Sequence, residues 1–262
     1  MKTTRLTDDF CRFFKISSII EEKHGSSQKK VYIVVIEGKI YALKVIPNAD
    51  KRIGRELNIY NRFKDNPGIP KVLSVDKYGS DLVVKEEFIK GKDLSEIKNS
   101  YFKDSYKTRK LIRDISIILE PIWLERCVHR DLKPNNIIVQ ENGSPIVLDF
   151  GIARDLDDDT ITSTGFQPLT WAYGSPEQYN YKKELISYRT DFFSLGIIGF
   201  VLYTRTRPFG NNKETISKTF LGPQLTFDVN DREMNNFLNT VLKFSPAERP
   251  RTIDQFNKSL CL

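Results

Sequence analysis

The 262-residue chain is 39% hydrophobic and 29% charged, a composition typical of a globular protein with one or two modest cores. Its longest apolar run, FFSLGIIGFVLY at residues 192–203, is shorter than the roughly 20 residues of a membrane-spanning helix, so no membrane association is expected. The net charge of +7 is spread as +5 over residues 1–87 and +2 over residues 88–262 without a dense basic block, so nucleic acid is not an expected partner.

The cysteines and the N-terminal residues indicate the compartment. The three cysteines are odd in number, scattered and without metal-ligand spacing, which favours a reducing compartment and argues against a zinc site. Asp8, Asp9 and Arg12 interrupt any apolar run near the N-terminus, so a secretory signal is not expected. The predicted location is therefore cytoplasmic, and any bound metal should be held by oxygen atoms.

The predicted elements change in character near residue 88. Before it, residues 31–36 and 40–46 are predicted to form a β-hairpin around a Gly-containing turn, and residues 52–63 a helix. After it, helical patterns dominate, over residues 109–125, 190–203 and 233–244. The sequence therefore predicts an α+β protein with a small β-rich unit over residues 1–88 and a larger helical unit over residues 89–262.

Two charged residues interrupt apolar faces in the first of these units. Lys44 shares a face of its predicted strand with Ala42 and Ile46, and Glu56 falls within the apolar stripe of the predicted helix. Because a buried ammonium and a buried carboxylate are each costly alone, we expect Lys44 and Glu56 to form an ion pair between strand and helix. The alternative is that both are surface residues whose charged ends extend to solvent.

A second hairpin is predicted where residues 136–140 and 145–149 flank an Asn-Gly turn. If the hairpin is symmetric about that turn, Asn136 and Asp149 lie opposite each other, with Cβ atoms about 4.5–5.5 Å apart. A carboxylate and an amide oxygen at that separation suit Mg²⁺. Pro145 could shift the register by one residue, and the alternative is that both are ordinary polar residues at strand ends.

Seven short motifs follow one another along the chain: YALK (41–44), EFIKGKDL (87–94), HRDLKPNN (129–136), DFG (149–151), SPE (175–177), RTDFFSLG (189–196) and SPAERP (245–250). Together and in this order they resemble the motifs of the eukaryotic-type protein kinases. The resemblance implies the two-lobed kinase fold, with an N-lobe over residues 1–88 and a C-lobe over residues 89–262. It also implies ATP and Mg²⁺ as cofactors and proteins as substrates. The Lys-, Ile- and Asn-rich composition is similar to that of bacterial or viral members.

The resemblance also implies a role in phosphoryl transfer for each polar residue of these motifs. Asp131 would be the catalytic base that accepts the proton of the substrate hydroxyl, and Lys133 would neutralise charge on the γ-phosphate. Asn136 and Asp149 would hold Mg²⁺ against the phosphates. Lys44, fixed by its ion pair, would bind the α- and β-phosphates.

Further nucleotide-binding positions are implied by the same resemblance, namely Gly25, Val31, Ala42, Glu56, Glu87 and Asp93. Residues 21–32 contain only one glycine where the family has several. We therefore expect fewer phosphate contacts from backbone amides and weaker ATP binding. Glu86 occupies the position just before the link between the lobes, where bulky apolar residues are usual, so its charge should alter the pocket behind adenine.

The substrate class is also implied by the resemblance. Lys133 and Thr170 match serine/threonine-directed members, in which the threonine bonds the catalytic aspartate and lysine. Glu177 is expected to pair with Arg249 and so to brace the segment that precedes it. Asp191 is expected to bind backbone amides of the catalytic loop, and the competing interpretation is a plain helix cap.

The loop between Asp149 and Glu177 is rich in acidic and hydroxyl residues, and its default interpretation is a solvated loop. Because Arg130 precedes Asp131, a phosphate on this loop could pair with that arginine and order the loop. We therefore expect autophosphorylation, which self-association would allow in trans, at Thr160, Thr162, Ser163 or Thr164.

Two alternatives to an active serine/threonine protein kinase remain. A catalytically weak or dead kinase-like scaffold is favoured by the poor glycine loop but opposed by the presence of Lys44, Asp131, Asn136 and Asp149. A small-molecule phosphotransferase of similar fold is opposed by the SPE motif and Arg249, which such enzymes usually lack.

Overall fold

The structure is a computed structural model that describes residues 6–23, 29–47, 51–150, 154–155 and 171–262. The chain divides into two compact units, Met1–Lys90 and Gly91–Leu262. In the described part of the chain, no helix combines the length and the apolar character needed to cross a membrane.

The first unit contains a five-stranded antiparallel sheet and two helices. In chain order its elements are α1 (Asp8–Phe13), β1 (Ile16–Lys23), β2 (Lys30–Ile36), β3 (Lys39–Ile46), α2 (Lys51–Arg62), β4 (Val72–Tyr78) and β5 (Asp81–Glu87). The strand order is β1-β2-β3-β5-β4. The predicted hairpin and the predicted helix over residues 52–63 are therefore confirmed, whereas α1, β1, β4 and β5 were not predicted.

The β2–β3 hairpin closes through a two-residue turn, Glu37–Gly38. Both residues have positive φ angles, 49° and 77°, as the tight hairpin turns that match strand twist require. The turn fixes a register in which Val31 lies opposite Lys44 and Tyr32 lies opposite Leu43. Side chains at opposed positions share a face of the sheet, so Val31 and Lys44 lie on one face and Tyr32 and Leu43 on the other.

The two faces of this sheet have different environments. The face of Tyr32 and Leu43 is an apolar core, to which α1 contributes Phe10. Thr7 caps α1 by accepting a hydrogen bond from the Phe10 amide at 3.2 Å, which positions that ring. On the opposite face, residues of α2 and the sheet, Lys44 among them, line a small cavity with room for about one water molecule.

The second unit is mainly helical. Its elements are β6 (Lys92–Asp93), α3 (Leu94–Ile97), α4 (Ser105–Leu124), β7 (Cys127–Val128), β8 (Ile137–Val139), β9 (Pro145–Val147), β10 (Arg154–Asp155), α5 (Pro176–Tyr179), α6 (Tyr188–Thr204), α7 (Lys213–Leu221), α8 (Arg232–Val241) and α9 (Ile253–Ser259). The three long helices predicted from the sequence correspond to α4, α6 and α8. Helix α4 begins four residues before its predicted start because Asp104 caps it, accepting from the Lys107 amide at 2.9 Å.

Helix α6 is buried over most of its length and forms the centre of this unit. Two glycines allow close packing against α8 and the residue that follows it. A Cβ atom added at Gly196 would lie 2.6 Å from Val241 Cγ2 and 2.7 Å from Leu242 Cδ2. One added at Gly199 would lie 3.0 Å from Phe237 Cε1. The sequence GIIG at residues 196–199 therefore serves helix packing.

The predicted second hairpin is present, but its register differs by one residue. Strands β8 and β9 pair Ile137 with Val147 and Val139 with Pro145. The Leu148 amide donates to the Asn136 carbonyl at 2.8 Å, so Asn136 lies opposite Leu148. The expectation that Asn136 faces Asp149 across the hairpin is therefore wrong. Five residues, 140–144, lie between the observed strands, one more than the four between the predicted strands.

Candidate active site

The predicted ion pair in the first unit is present. Lys44 Nζ lies 3.5 Å from Glu56 Oε1, and the two residues are only 7% and 4% exposed. The Tyr60 hydroxyl lies 3.3 Å from the same nitrogen. The prediction that Lys44 and Glu56 meet is confirmed, and the alternative of two solvent-exposed surface residues is wrong.

Glu86 is a second acidic partner of Lys44 that sequence reasoning did not identify. Its Oε1 lies 2.6 Å from Lys44 Nζ, and the residue is 3% exposed. The contact is therefore a short, buried ion pair. Burial raises the pKa of Glu86, and the charge of Lys44 offsets part of that effect.

The pairing of β3 with β5 explains why Glu86 reaches Lys44. Ala42 lies opposite Glu86 and Lys44 lies opposite Val84, so all four side chains share a face of the sheet. Glu86 and Lys44 are therefore diagonal neighbours, a separation that long side chains span. The sequence LVVKEE shows an acid in line with Leu82 and Val84 on one face of its strand, but it does not show that this strand pairs with β3.

A second lysine contacts the same acid of α2. Lys29 Nζ lies 3.6 Å from Glu56 Oε1, and its side chain is 12% exposed. Lys29 precedes β2 and lies two residues before Val31, which is opposite Lys44. The face predicted to bind nucleotide therefore carries two acids and two lysines in place of the single expected pair.

The other predicted nucleotide-binding positions lie in varied environments. Val31 and Ala42 lie on the same sheet face as Lys44. The Glu87 carboxylate accepts from the Lys71 amide at 2.9 Å. The roles of these residues in nucleotide binding stay predictions.

Asp93 and Gly25 complete the predicted set. Asp93 caps α3, and its carboxylate accepts from the Ser95 amide at 2.8 Å. Gly25 lies outside the described residues. The predicted role of each in nucleotide binding is therefore untested.

In the second unit, Lys133 and Asn136 of the HRDLKPNN motif both contact the carboxylate of Asp131. Asp131 Oδ2 accepts from Lys133 Nζ at 2.7 Å and from Asn136 Nδ2 at 3.2 Å. Asn136 Nδ2 also donates to the Asp131 carbonyl at 2.9 Å. These bonds hold the carboxylate in one orientation. They also direct the Asn136 amide nitrogen towards Asp131, which leaves the amide oxygen as the atom suited to bind a cation.

The backbone of this loop is held by Asp191 of α6. Its carboxylate accepts from the amides of His129 and Arg130, each at 2.9 Å, and from Trp123 Nε1 at 2.8 Å. Burial raises the pKa of Asp191, and these bonds oppose that effect. The expectation that Asp191 binds backbone amides of the HRDLKPNN loop is confirmed, and the helix-cap interpretation is wrong because Ser187 caps α6.

His129 supports the loop from within the core. It is fully buried, its Nε2 lies 3.0 Å from the Leu148 carbonyl, and its Nδ1 accepts from the Asp131 amide at 3.3 Å. An accepting Nδ1 requires that Nε2 carries the proton and donates to Leu148. The ring also lies 4.7 Å from that of Phe150, centroid to centroid. His129 thus joins the HRDLKPNN loop to the residues after β9.

Two residues of these motifs have left-handed backbone conformations, Arg130 with φ of 71° and Asp149 with φ of 64°. Such angles are uncommon outside glycine and persist only where the surroundings fix them. For Arg130 part of that restraint is visible, because its amide donates to Asp191 and its carbonyl accepts from Gln178 Nε2 at 2.8 Å. Gln178 follows the SPE motif and was not identified from the sequence.

The predicted pair of Glu177 and Arg249 is present and buried. Arg249 Nη1 and Nη2 donate to the two carboxylate oxygens at 2.7 and 2.8 Å, and the side chains are 0% and 1% exposed. Thr190 also donates to Glu177 at 2.9 Å. The prediction is confirmed, and the pair fixes α5 against the start of α6 and the segment before α9.

The remaining predicted residues lie outside the described part of the chain. These are Thr170 and the phosphorylation candidates Thr160, Thr162, Ser163 and Thr164.

Comparisons with known proteins agree with the geometry. The family model described as the protein kinase domain matches residues 24–260. A protein named as a serine/threonine-protein kinase of Clostridium perfringens is 34% identical over 194 residues, which are 71% of this chain and 28% of the relative. The smooth-muscle myosin light chain kinase of Gallus gallus is 29% identical over 248 residues, 87% of this chain and 13% of the relative.

A protein of Saccharomyces cerevisiae, also named as a serine/threonine-protein kinase, is 29% identical over 240 residues, 88% of this chain and 26% of the relative. The chain thus spans between 13% and 28% of the length of these curated relatives. The sheet-containing unit and the helical unit are the N-lobe and C-lobe of the two-lobed kinase fold, as the sequence predicted. The chain therefore belongs to the protein kinase domain family.

Proposed function

We propose that this chain is a serine/threonine protein kinase domain that transfers the γ-phosphoryl group of ATP to protein hydroxyls, with Asp131 as catalytic base. The observation that carries the proposal is the convergence of Lys133 and Asn136 on Asp131 Oδ2. A carboxylate used only as a structural ion pair would not need a separate anchor for its loop, whereas Asp191 binds two successive amides of this loop.

The residues of each lobe have distinct tasks in the proposed reaction. In the N-lobe, Lys44 binds the α- and β-phosphates of ATP. In the C-lobe, Asp131 orients the substrate hydroxyl and accepts its proton as the hydroxyl oxygen bonds to the γ-phosphorus and the bond to the ADP oxygen breaks. Lys133 neutralises the charge that develops on the transferred group. That one nucleotide engages Lys44 and the catalytic loop together stays a prediction.

The donor atoms of the C-lobe fit a hard divalent cation. Asn136 can offer an amide oxygen because its nitrogen is bound to Asp131, and Asp149 offers a carboxylate. Mg²⁺ bound by these two residues would neutralise phosphate charge and orient the γ-phosphoryl group. The left-handed backbone of Asp149 is strain of the kind found at ligand-binding residues, which supports this assignment.

The test of the proposal is phosphoryl transfer by wild type and by Asp131→Asn, measured with γ-labelled ATP and Mg²⁺ on a generic protein substrate. Loss of the base should lower kcat by about 10²- to 10⁴-fold. Asp254→Asn is a matched control, because Asp254 is an exposed carboxylate of the same lobe whose partner is a surface lysine. Equal rates for wild type and Asp131→Asn would refute the role of Asp131, and an inactive wild type would favour the catalytically dead scaffold.

The substrate class follows from the resemblance of Lys133 and Thr170 to serine/threonine-directed kinases, and from the relatives with that name. Phosphoamino-acid analysis of the products should therefore find phosphoserine or phosphothreonine. Transfer to a small molecule alone would instead identify a small-molecule phosphotransferase. Phosphopeptide mapping of the active protein should find phosphate on one or more of Thr160, Thr162, Ser163 and Thr164, and modification of none would refute autophosphorylation of this loop.

A further inference from the structure

The buried charge cluster of the N-lobe contains more residues than one phosphate-binding lysine requires. Lys44 contacts Glu86 at 2.6 Å and Glu56 at 3.5 Å, and Lys29 contacts Glu56 at 3.6 Å. All four side chains are at most 12% exposed. A buried charge is tolerated only when opposite charge compensates it, so the cluster is best understood as a whole.

Charge balance explains why a second lysine is present. Glu86 adds a negative charge beside Lys44, and one ammonium cannot neutralise two carboxylates. With Lys29 included, two positive and two negative charges balance. Lys44 lies closer to Glu86, at 2.6 Å, than to Glu56, at 3.5 Å, so Glu86 is its main partner. Glu56 is shared between the two lysines, which lie at similar distances from it.

The two lysines are also alike in position. Both amino groups lie within 3.6 Å of the same atom, Glu56 Oε1. Because both ammonium groups border one carboxylate oxygen, an anion next to Lys44 would also be within reach of Lys29.

We propose that Lys29 is a second phosphate-binding lysine of this kinase domain, with Glu86 as the acid that balances its charge in the absence of nucleotide. The inference rests on the proposed function, because it takes ATP as the substrate. It also accounts for the single glycine between Lys23 and Lys29. Where few glycines allow backbone amides to approach the phosphates, a lysine side chain supplies the missing positive charge.

The competing explanation is that Lys29 only compensates Glu86. The two explanations differ in a charge-balanced variant, Lys29→Met/Glu86→Met, which removes one charge of each sign and retains Lys44 and Glu56. If Lys29 is only compensating, this variant should bind ATP as Glu86→Met does. If Lys29 binds phosphate, ATP affinity should stay low although the cluster is again neutral.

The experiment measures the affinities of wild type, Lys29→Met, Glu86→Met and the double variant for Mg-ATP and for adenosine by calorimetry, together with thermal unfolding. We expect Lys29→Met to weaken ATP binding by about 10- to 100-fold, as loss of a charge-assisted contact implies, and adenosine binding by less than about twofold. The same loss should appear when Lys29→Met is added to Glu86→Met. Lys29→Arg should retain most of the ATP affinity.

Three results would overturn the inference. ATP affinity of Lys29→Met within twofold of wild type would do so directly. Equal ATP affinities of Glu86→Met and the double variant would show that Lys29 only balances charge. Equal losses for ATP and adenosine would show a general disturbance of the lobe. In each case ATP binding by wild type leaves the proposed function intact, whereas failure of wild type to bind ATP would refute both.

Discussion

Loss of Arg249 should destabilise the C-lobe strongly, because it would leave Glu177 as a buried carboxylate without a cation. Both side chains are essentially inaccessible to solvent. Breaking a buried ion pair by removing one partner costs about 3–5 kcal/mol. Arg249 also donates to the carbonyls of Lys243, Arg189 and Phe244 at 2.8–3.1 Å, so this range is a lower bound for Arg249→Met. For a unit of this size it corresponds to a fall in Tm of about 6–20 °C.

The chain offers a probe that reports on the C-lobe alone. Its two tryptophans, Trp123 and Trp171, both lie in that lobe. Thermal unfolding followed by tryptophan fluorescence should therefore detect the change without interference from the N-lobe. Arg249→Lys keeps the charge but cannot form two parallel bonds to the carboxylate, so its Tm should fall between those of wild type and Arg249→Met.

A double variant, Glu177→Leu/Arg249→Met, separates the two causes of the lost stability, namely the unpaired Glu177 carboxylate and the three backbone carbonyls without a donor. Removing the carboxylate as well should restore the stability lost to uncompensated charge, while the three carbonyls still lack their donor. The double variant should therefore be more stable than Arg249→Met and less stable than wild type. A Tm of Arg249→Met within about 2 °C of wild type, or no recovery in the double variant, would refute this account of the pair.

Three further predictions concern other parts of the molecule. Gly196→Ala should destabilise the protein by about 1–3 kcal/mol, because the new methyl group would lie 2.6 Å from Val241 Cγ2. Gly54→Ala is the control and should be neutral or stabilising, because no atom lies within 4 Å of its new Cβ atom. If the close packing is unimportant, calorimetry would show the opposite order of stabilities. Asp191→Asn should lower kcat by about 10-fold or more with little change in the KM for ATP, because it weakens the bonds that hold the amides of the catalytic loop. A raised KM with unchanged kcat in steady-state assays would contradict this. Burial raises the pKa of Glu86 above its usual 4.5, so the folded protein retains a proton that the unfolded chain has lost, and this contribution to stability is present below about pH 4.5 and lost as pH rises through the raised pKa. Denaturant titrations between pH 4.5 and 8 should therefore find that Glu86→Gln gains stability relative to wild type as pH rises, and parallel stability curves would rule this out.

The pair of Lys44 and Glu56 was predictable because periodicity alone placed each charge on an apolar face. The hairpin around Glu37–Gly38 was predictable because its turn chemistry is local. In contrast, the contact of Lys44 with Glu86 depends on the pairing of β3 with β5, and those strands are separated by a helix and another strand. Such non-local pairing leaves no mark on the local sequence pattern. The sequence therefore identified Glu86 as an unusual acid but did not identify Lys44 as its partner.

The second hairpin shows the same limit at a smaller scale. The Asn-Gly turn identified the hairpin, yet the pairing of Ile137 with Val147 shifted the register by one residue. Strand β1 was missed for another reason. It is exposed along most of its length, so its sequence lacks the alternation of apolar and polar residues that marks a half-buried strand.

The turn at Glu37–Gly38 determines which side chains of β3 lie on each face of the sheet. A single-residue insertion or deletion between this turn and Lys44 would exchange the two faces of the strand. The ammonium would enter the apolar core that contains Phe10, and Leu43 (after an insertion) or Val45 (after a deletion) would take its place. Length variation among homologous kinases should consequently be absent from this short stretch, even though the turn itself is exposed.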